Sequence, residues 1–274
     1  MNNVLSDFKL QFKIYGTSSI LIEWPKIISE DVLKNMLNFK EFIENNYVKQ
    51  KIHIISSYNS LLVVYDKGID NIYNEISHIE SWYLSFEDKN FNTTKLWKIP
   101  VCYDLDFGLD LEDVSIRNKL SIAEIVKEHT SVKYRLYFIG FLPGFLYLGG
   151  LSETLYIPRK SQPRLHVDKG SVGIGGVQTG IYPNNSPGGW NILGNTPLNI
   201  FNSANEKEPS YISPGDTVIF KNRWYGRSTS FTVDPEELKF QPKHEQNDRS
   251  CEHLGAKDFD KEMHQKYLNH IDIN

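Results

Sequence analysis

The amino-acid sequence predicts an α+β protein of two domains: a small α/β layer domain, then a turn-rich β domain that is closed or sandwich-like. Three observations carry this. A chain of 274 residues exceeds the commonest single-domain size and suits two modest domains. Residues 1–86 alternate short apolar runs with amphipathic helical stripes, the pattern of a sheet covered by helices. Residues 137–201 hold twelve of the eighteen Gly and six of the twelve Pro, which marks shaped turns between short strands.

In the first domain Leu10, Phe12 and Ile14 alternate with polar neighbours as a strand does. Ser19–Trp24 is a second apolar run, stopped by Pro25. Ser29 is placed to cap a helix, with Glu30 and Asp31 in its first turn and Val32, Met36, Leu37 and Ile43 on its apolar side. Lys51–Ser56 and Ser60–Tyr65 read as strands joined by a short turn. Ile69, Ile72, Tyr73, Ile76, Ile79 and Tyr83 form a helical stripe, and the polar run Glu87–Lys95 reads as a linker.

The second domain, 96–226, opens with a strand at Trp97–Tyr103. Two short helices follow. Asp110 is placed to cap the first; Ser121 and Glu124 form a capping box for the second, with Leu120 and Ile125 as its hydrophobic staple. Strands are expected at Arg135–Ile139, Leu155–Ile157, Ser171–Ile174, Leu198–Phe201 and Asp216–Phe220. Beyond Arg227 the chain loses Trp and nearly all Gly and gains charge, so 227–274 reads as a polar, partly disordered tail.

Composition excludes several function classes. Net charge is −4, which gives no electrostatic footprint for nucleic acid. No apolar run is long enough to span a bilayer, and the N-terminus lacks the basic-then-apolar order of a signal peptide. Cys102 and Cys251 stand far apart and read as reduced thiols of a cytoplasmic protein. His244, His253, His264 and His270 are scattered at spacings that suit solvation better than a metal, so no metal site is expected.

Three constellations are candidates for chemistry. Arg159 and Arg164 flank a proline-fixed loop; their planar donor forks suit a carboxylate or phosphate, or one of them braces the loop against Glu153 or Asp168. In Asn185–Trp190, Gly188 and Gly189 beside Pro187 let the backbone approach a ligand, with Trp190 as an apolar floor or as a core anchor. His129, at the end of the capped helix, is either a structural group favoured by the helix dipole or a general base. The cluster Gly170, Gly173, Gly175, Gly176 matches no phosphate-binding fingerprint, since the residues after it look extended rather than helical. No nucleophile, base and orienting group can be placed together.

The blocks GFLPGFLYLGGL (140–151), PRKSQPR (158–164), GSVGIGGVQTGIYP (170–183), SPGGW (186–190), GNTPLNIF (194–201) and SPGD (213–216) occur in one order along the chain. Together they resemble the signature blocks of the 5-oxoprolinase B subunit family, which includes KipI-like kinase inhibitors and allophanate hydrolase subunit 1-like domains. The chain departs from the family pattern at Leu165-His166, Asp168 and Gly175. The resemblance implies a cyclophilin-like β-barrel after the small α/β domain. It also implies the B subunit of an ATP-dependent 5-oxoprolinase that converts 5-oxo-L-proline to L-glutamate and is inactive alone. The implied partners are the C subunit (KipA-like) and the A subunit (LamB/YcsF-like). ATP would be used by the complex, with no ATP loop recognisable in this chain. The KipI branch implies the alternative, an inhibitor that binds a sensor histidine kinase. Within these blocks Phe141, Pro143, Gly144, Phe145 and Gln178 join Arg159, Arg164, Pro187, Gly188, Gly189 and Trp190 as the expected substrate-binding set, with His129 as the expected catalytic group.

Overall fold

The computed structural model describes residues 8–47, 51–87, 94–205 and 209–223. The expected tail lies outside the described residues, and with it Cys251 and the four scattered histidines; so does most of the expected linker. The chain divides into two compact units, Met1–Thr94 and Lys95–Asn274.

In the first unit β1 (Gln11–Ile14) and β2 (Ser19–Glu23) precede α1 (Glu30–Asn46); β3 (Ile52–Ser56) and β4 (Ser60–Tyr65) precede α2 (Ile72–Ser85). The strands form one antiparallel sheet in the order β1-β2-β4-β3. Alternation puts Ile20, Ile22, Leu61, Val63 and Tyr65 in the core. Helix α1 starts where its cap allows: the Ser29 hydroxyl accepts the Asp31 N–H at 3.2 Å. It buries Val32, Leu33, Met36, Phe39 and Ile43, a stripe of helical period. Trp24 and Tyr83 meet over Phe39, and both donate to the buried Asn35 Oδ1, at 2.8 and 2.9 Å.

The second unit runs β5 (Leu96–Val101), α3 (Leu111–Asn118), α4 (Ile122–Ser131), β6 (Tyr134–Ile139), β7 (Leu146–Gly149), β8 (Arg164–Val167), β9 (Ser171–Gly175), β10 (Gln178–Ile181), β11 (Ser186–Gly188), β12 (Asn191–Asn195) and β13 (Thr217–Asn222). Seven strands follow one another as β12-β9-β10-β7-β6-β13-β5, while β8 and β11 make a separate ribbon. The seam is joined by a bridge. Cys102, just past β5, donates its N–H to Asn195 O at 2.8 Å, and Asn195, at the end of β12, donates back at 3.0 Å. The result is a nearly closed barrel, which completes the expected α+β fold class. All pairs are antiparallel except β5 with β13. Its interior is packed solid by residues that include Trp97, Ile99, Leu136, Leu146, Leu148, Val172, Ile174, Ile181, Leu193, Val218 and Phe220. Each such side chain contributes about 1.5–3 kcal/mol by leaving water.

The capping box of α4 forms in full. Other local expectations change. Asp110 stands at the cap position of α3 but makes no side-chain cap bond, because its carboxylate is engaged elsewhere. Leu155–Ile157 is a 3-10 turn (Glu153–Leu155) followed by a single bridge from Ile157 to Gly176. Leu198–Phe201 is likewise irregular, with one bridge from Phe201 to Ser210.

Candidate functional site

Strand β7 is two-sided. Leu146 and Leu148 point into the barrel, which leaves Phe145 and Tyr147 for its other face. There a second, smaller cluster gathers Phe145, Val167, Tyr182, Trp190 and Ile192, with Leu142 and Tyr147 against it. Its rings meet edge to face: Phe145 with Tyr182 at 5.0 Å and 87°, Phe145 with Trp190 at 5.4 Å and 85°, Tyr147 with Trp190 at 5.8 Å and 74°. Such pairs add roughly 0.5–1.5 kcal/mol each beyond burial, so the platform is rigid. The Trp190 backbone N–H also bonds the Tyr182 phenol oxygen. Trp190 is therefore neither barrel core nor free floor; it anchors this outer cluster.

Arg159 lies over that platform. Its guanidinium carbon stands 5.4 Å from the Trp190 ring centroid. The side chain is exposed and makes no hydrogen bond or ion pair among the described residues. Its charge is felt nearby: burial pushes the Tyr147 and Tyr182 phenols up, while Arg159 pulls both back.

Arg164 has the other fate open to it, with a different partner from those expected. It grips Asp110, 54 residues away, by two bonds of 2.7 Å each. Lys160 Nζ donates to Asp110 Oδ1 at 2.5 Å, and the Ile192 backbone N–H to Asp110 Oδ2 at 2.7 Å. Burial alone would raise the Asp110 carboxyl, but the bonds from Arg164, Lys160 and Ile192 outweigh it and hold the group below its ordinary range. With two of its five N–H donors bonded to a carboxylate that is 2% exposed, Arg164 acts as a brace for the loop.

His129 is corrected more sharply. It is 0% exposed, lodged inside the barrel and stacked on Phe220 at 4.7 Å. Nδ1 is 2.7 Å from the Tyr103 hydroxyl and Nε2 is 2.9 Å from Thr179 Oγ1. Both nitrogens are engaged and enclosed, so neither meets a surface-bound substrate. Burial lowers its pKa from the ordinary 6.5 to about 3.

The glycines also divide. A Cβ on Gly188 would lie 2.8 Å from Tyr182 ring carbons, and one on Gly144 (φ +87°) 2.6 Å from Phe201 Cγ. Their missing side chains make room for neighbouring rings. Gly189 is half-buried and its carbonyl accepts the Lys160 N–H at 2.7 Å; Pro187 and Pro143 are exposed. Gln178 is buried on β10, opposite Gly175. Phe141 is 64% exposed with φ +65°, its ring at right angles to Phe145 at 5.8 Å. A left-handed backbone costs a phenylalanine roughly 1–2 kcal/mol, a strain glycine does not carry. Phe141→Gly is therefore expected to leave the melting midpoint unchanged or higher. A fall of more than about 4 °C, near 1–2 kcal/mol for a chain of this size, would show that the ring contact with Phe145 outweighs the strain.

The structure thus brings Arg159, Trp190, Phe145 and Phe141 to one connected surface and places His129 apart from it. Asp110, Lys160, Tyr147 and Tyr182 were not expected there. One signal was available: two cations four residues apart on a fixed loop need an anion, and Asp110, Glu112 and Asp113 form the acidic run that supplies it. Among the described residues no group of three or more His, Cys, Asp or Glu is arranged to hold a metal ion. No described helix is long and apolar enough to cross a membrane.

The family model for the carboxyltransferase domain, subdomain C and D, matches residues 10–212. Over 222 residues the sequence is 36% identical to the 5-oxoprolinase B subunit of Bacillus subtilis (strain 168), covering 77% of this chain and 92% of that protein. The chain belongs to the 5-oxoprolinase B subunit family. It is also 40% identical to the 5-oxoprolinase B subunit of Escherichia coli O157:H7, over 62% of this chain and 77% of the relative. Among solved structures, that of TTHA0988 superposes with a TM-score of 0.67 at 29% identity. That match covers 77% of this chain but 41% of the other, so this B subunit homologue spans less than half of the longer protein.

Proposed function

We propose that this chain is the B subunit of an ATP-dependent 5-oxoprolinase, which acts with the C and A subunits to open 5-oxo-L-proline to L-glutamate. In the overall reaction one water breaks the lactam C–N bond, and hydrolysis of ATP by a second water drives the opening of a stable amide. Kinship with 5-oxoprolinase B subunits supports the assignment of the reaction. The observation that carries this chain's own part in it is Arg159: a guanidinium held 5.4 Å from the centre of the Trp190 ring, with no hydrogen-bond or ion-pair partner among the described residues. That guanidinium is a preoriented receptor for the substrate carboxylate. The aromatic platform beside it excludes water and strengthens the contact. No nucleophile, base and orienting group are assembled together beside it among the described residues, so this polypeptide binds and orients while the lactam is activated with the help of its partners.

The experiment is glutamate release from the three purified subunits with ATP, each omitted in turn. Omission of this chain should abolish release, and this chain alone should give none. Arg159→Ala should retain the fold and lower kcat/KM by about ten- to a hundredfold, the value of one charge-assisted hydrogen bond at roughly 1.5–3 kcal/mol. Full release without this chain would remove the oxoprolinase reading and favour binding to a sensor histidine kinase, testable by copurification.

A further inference from the structure

We propose that Asp110 is a positioning residue for Arg159, acting as the pin that fixes the arginine's loop to the strand carrying its platform. This rests on the ligand-facing role of Arg159 proposed above. The loop leaves the barrel at Ile157, which is bridged to Gly176, and re-enters regular structure at Arg164. Between those points its backbone is held by Lys160 N–H to Gly189 O at 2.7 Å and by Asn191 Nδ2 to Pro158 O at 3.0 Å. Both of the loop's other cations converge on Asp110: Lys160 next to Arg159, and Arg164 at the far end.

Asp110 is bonded just as firmly on its other side. Its carboxylate accepts the Ile192 N–H at 2.7 Å and its own N–H donates to Ile192 O at 2.9 Å. Ile192 lies two residues beyond Trp190 at the start of β12. One buried carboxylate therefore spans from the residue beside the guanidinium to the strand that follows the indole. It thereby ties the loop that carries Arg159 to the strand that follows Trp190, the two partners of the 5.4 Å cation–π contact. It also sorts charge. Lys160 is taken by Asp110, with Asp113 at 3.8 Å, and Arg164 by Asp110, which leaves Arg159 as the loop's unpaired cation among the described residues. Loss of Asp110 frees Arg164 and leaves Lys160 only Asp113 at 3.8 Å; the two backbone ties remain, but the loop loses its side-chain pin, so a carboxylate meets a more diffuse positive patch instead of one aimed fork.

Asp110 itself touches no substrate, so its signature is coupling. In the assembled complex of three subunits, with 5-oxo-L-proline and saturating ATP, Asp110→Asn should raise KM about tenfold and leave kcat within about twofold. Combining it with Arg159→Ala should be no worse than Arg159→Ala alone, because the pin has value only through the arginine; independent effects would instead multiply. Lys160→Met, which removes one tie and keeps the Arg164 fork, should raise KM by about threefold, and Lys160→Arg should restore it. These two variants carry the test if Asp110→Asn does not fold. An unchanged KM in the folded Asp110 and Lys160 variants, or multiplicative losses in the double variant, would overturn the positioning role while leaving Arg159 as the receptor. An unchanged KM in Arg159→Ala would overturn the receptor and the pin together.

Discussion

Acidification should destabilise this protein steeply from about pH 6.5 downward, and one histidine is responsible for about one proton of that slope. The Thr179 hydroxyl donates its hydrogen to Gly173 O at 3.1 Å, so its oxygen must accept from His129 Nε2–H. Nδ1 then accepts from the Tyr103 hydroxyl. The ring is a neutral Nε2–H tautomer in a directed chain, enclosed by Tyr134 and Phe220. A proton on Nδ1 would face a donor, and the groups bonded to or stacked on the ring include no carboxylate to offset its charge. With a folded pKa of about 3 against an ordinary 6.5, the unfolded chain takes up a proton that the folded one refuses. The stability is thus fully present above pH 6.5 and is lost as pH falls toward 3, at about 1.4 kcal/mol per pH unit. Urea unfolding of the parent and of His129→Gln between about pH 7.5 and 4.5 measures it. The glutamine can give and accept the same two bonds without titrating, so its stability should fall by about one proton less. Parallel slopes would sink the assignment.

A large loss from a single polar side chain is expected at Asp216, the last residue of the SPGD block. Its two oxygens accept the Lys95 N–H at 2.9 Å, the Trp97 indole N–H at 2.8 Å and the Ser213 N–H at 3.0 Å. Trp97 is 1% exposed, so its N–H has no water to turn to. Asp216→Ala orphans all three donors, at about 1–3 kcal/mol for each buried one. A total of about 3 kcal/mol or more lowers the midpoint by roughly 6–12 °C. Calorimetry that finds less than about 2 °C would show that water replaces the carboxylate. A sequence block that carries the family resemblance thus has a structural reason: it clasps β5 onto β13.

Much of the first unit was legible because its strands and helices obey clean periods: Ser29, the Val32–Ile43 stripe and the two runs ending at Ser56 and Tyr65 each carry their own signal. The α4 capping box was legible for the same reason, its partners being three residues apart. The barrel wall was legible in part: β5, β6, β9 and β13 fall where strands were expected, while β7, β10 and β12 were not foreseen. Strand β9, Ser-Val-Gly-Ile-Gly, is buried at all five positions, so its signal was the apolar run between turns and not an alternation. Strands β10 to β12 are short and glycine-bearing, and their pairing depends on neighbours far along the chain. The candidate site was legible as a region, with the proposed Arg159 and Trp190 within it. The division of labour between Arg159 and Arg164 was not, because it hangs on Asp110. His129 had a clue in plain view: it stands one helical turn from Ile125, on the stripe that faces the barrel core.

The parallel pairing of β5 with β13 has a consequence for synthesis. The first strand of the barrel hydrogen-bonds to the last, and the clasp between Lys95 and Asp216 joins residues 121 positions apart in the chain. On the ribosome, β5 emerges long before its partner exists. Until residues 217–222 clear the exit tunnel, Trp97 and Ile99 lack the strand that covers them, and a nascent chain of this length displays apolar surface for many seconds at ordinary elongation rates. Closing so large a loop is also intrinsically slow. Closure of the barrel through β5 therefore waits until translation has passed β13.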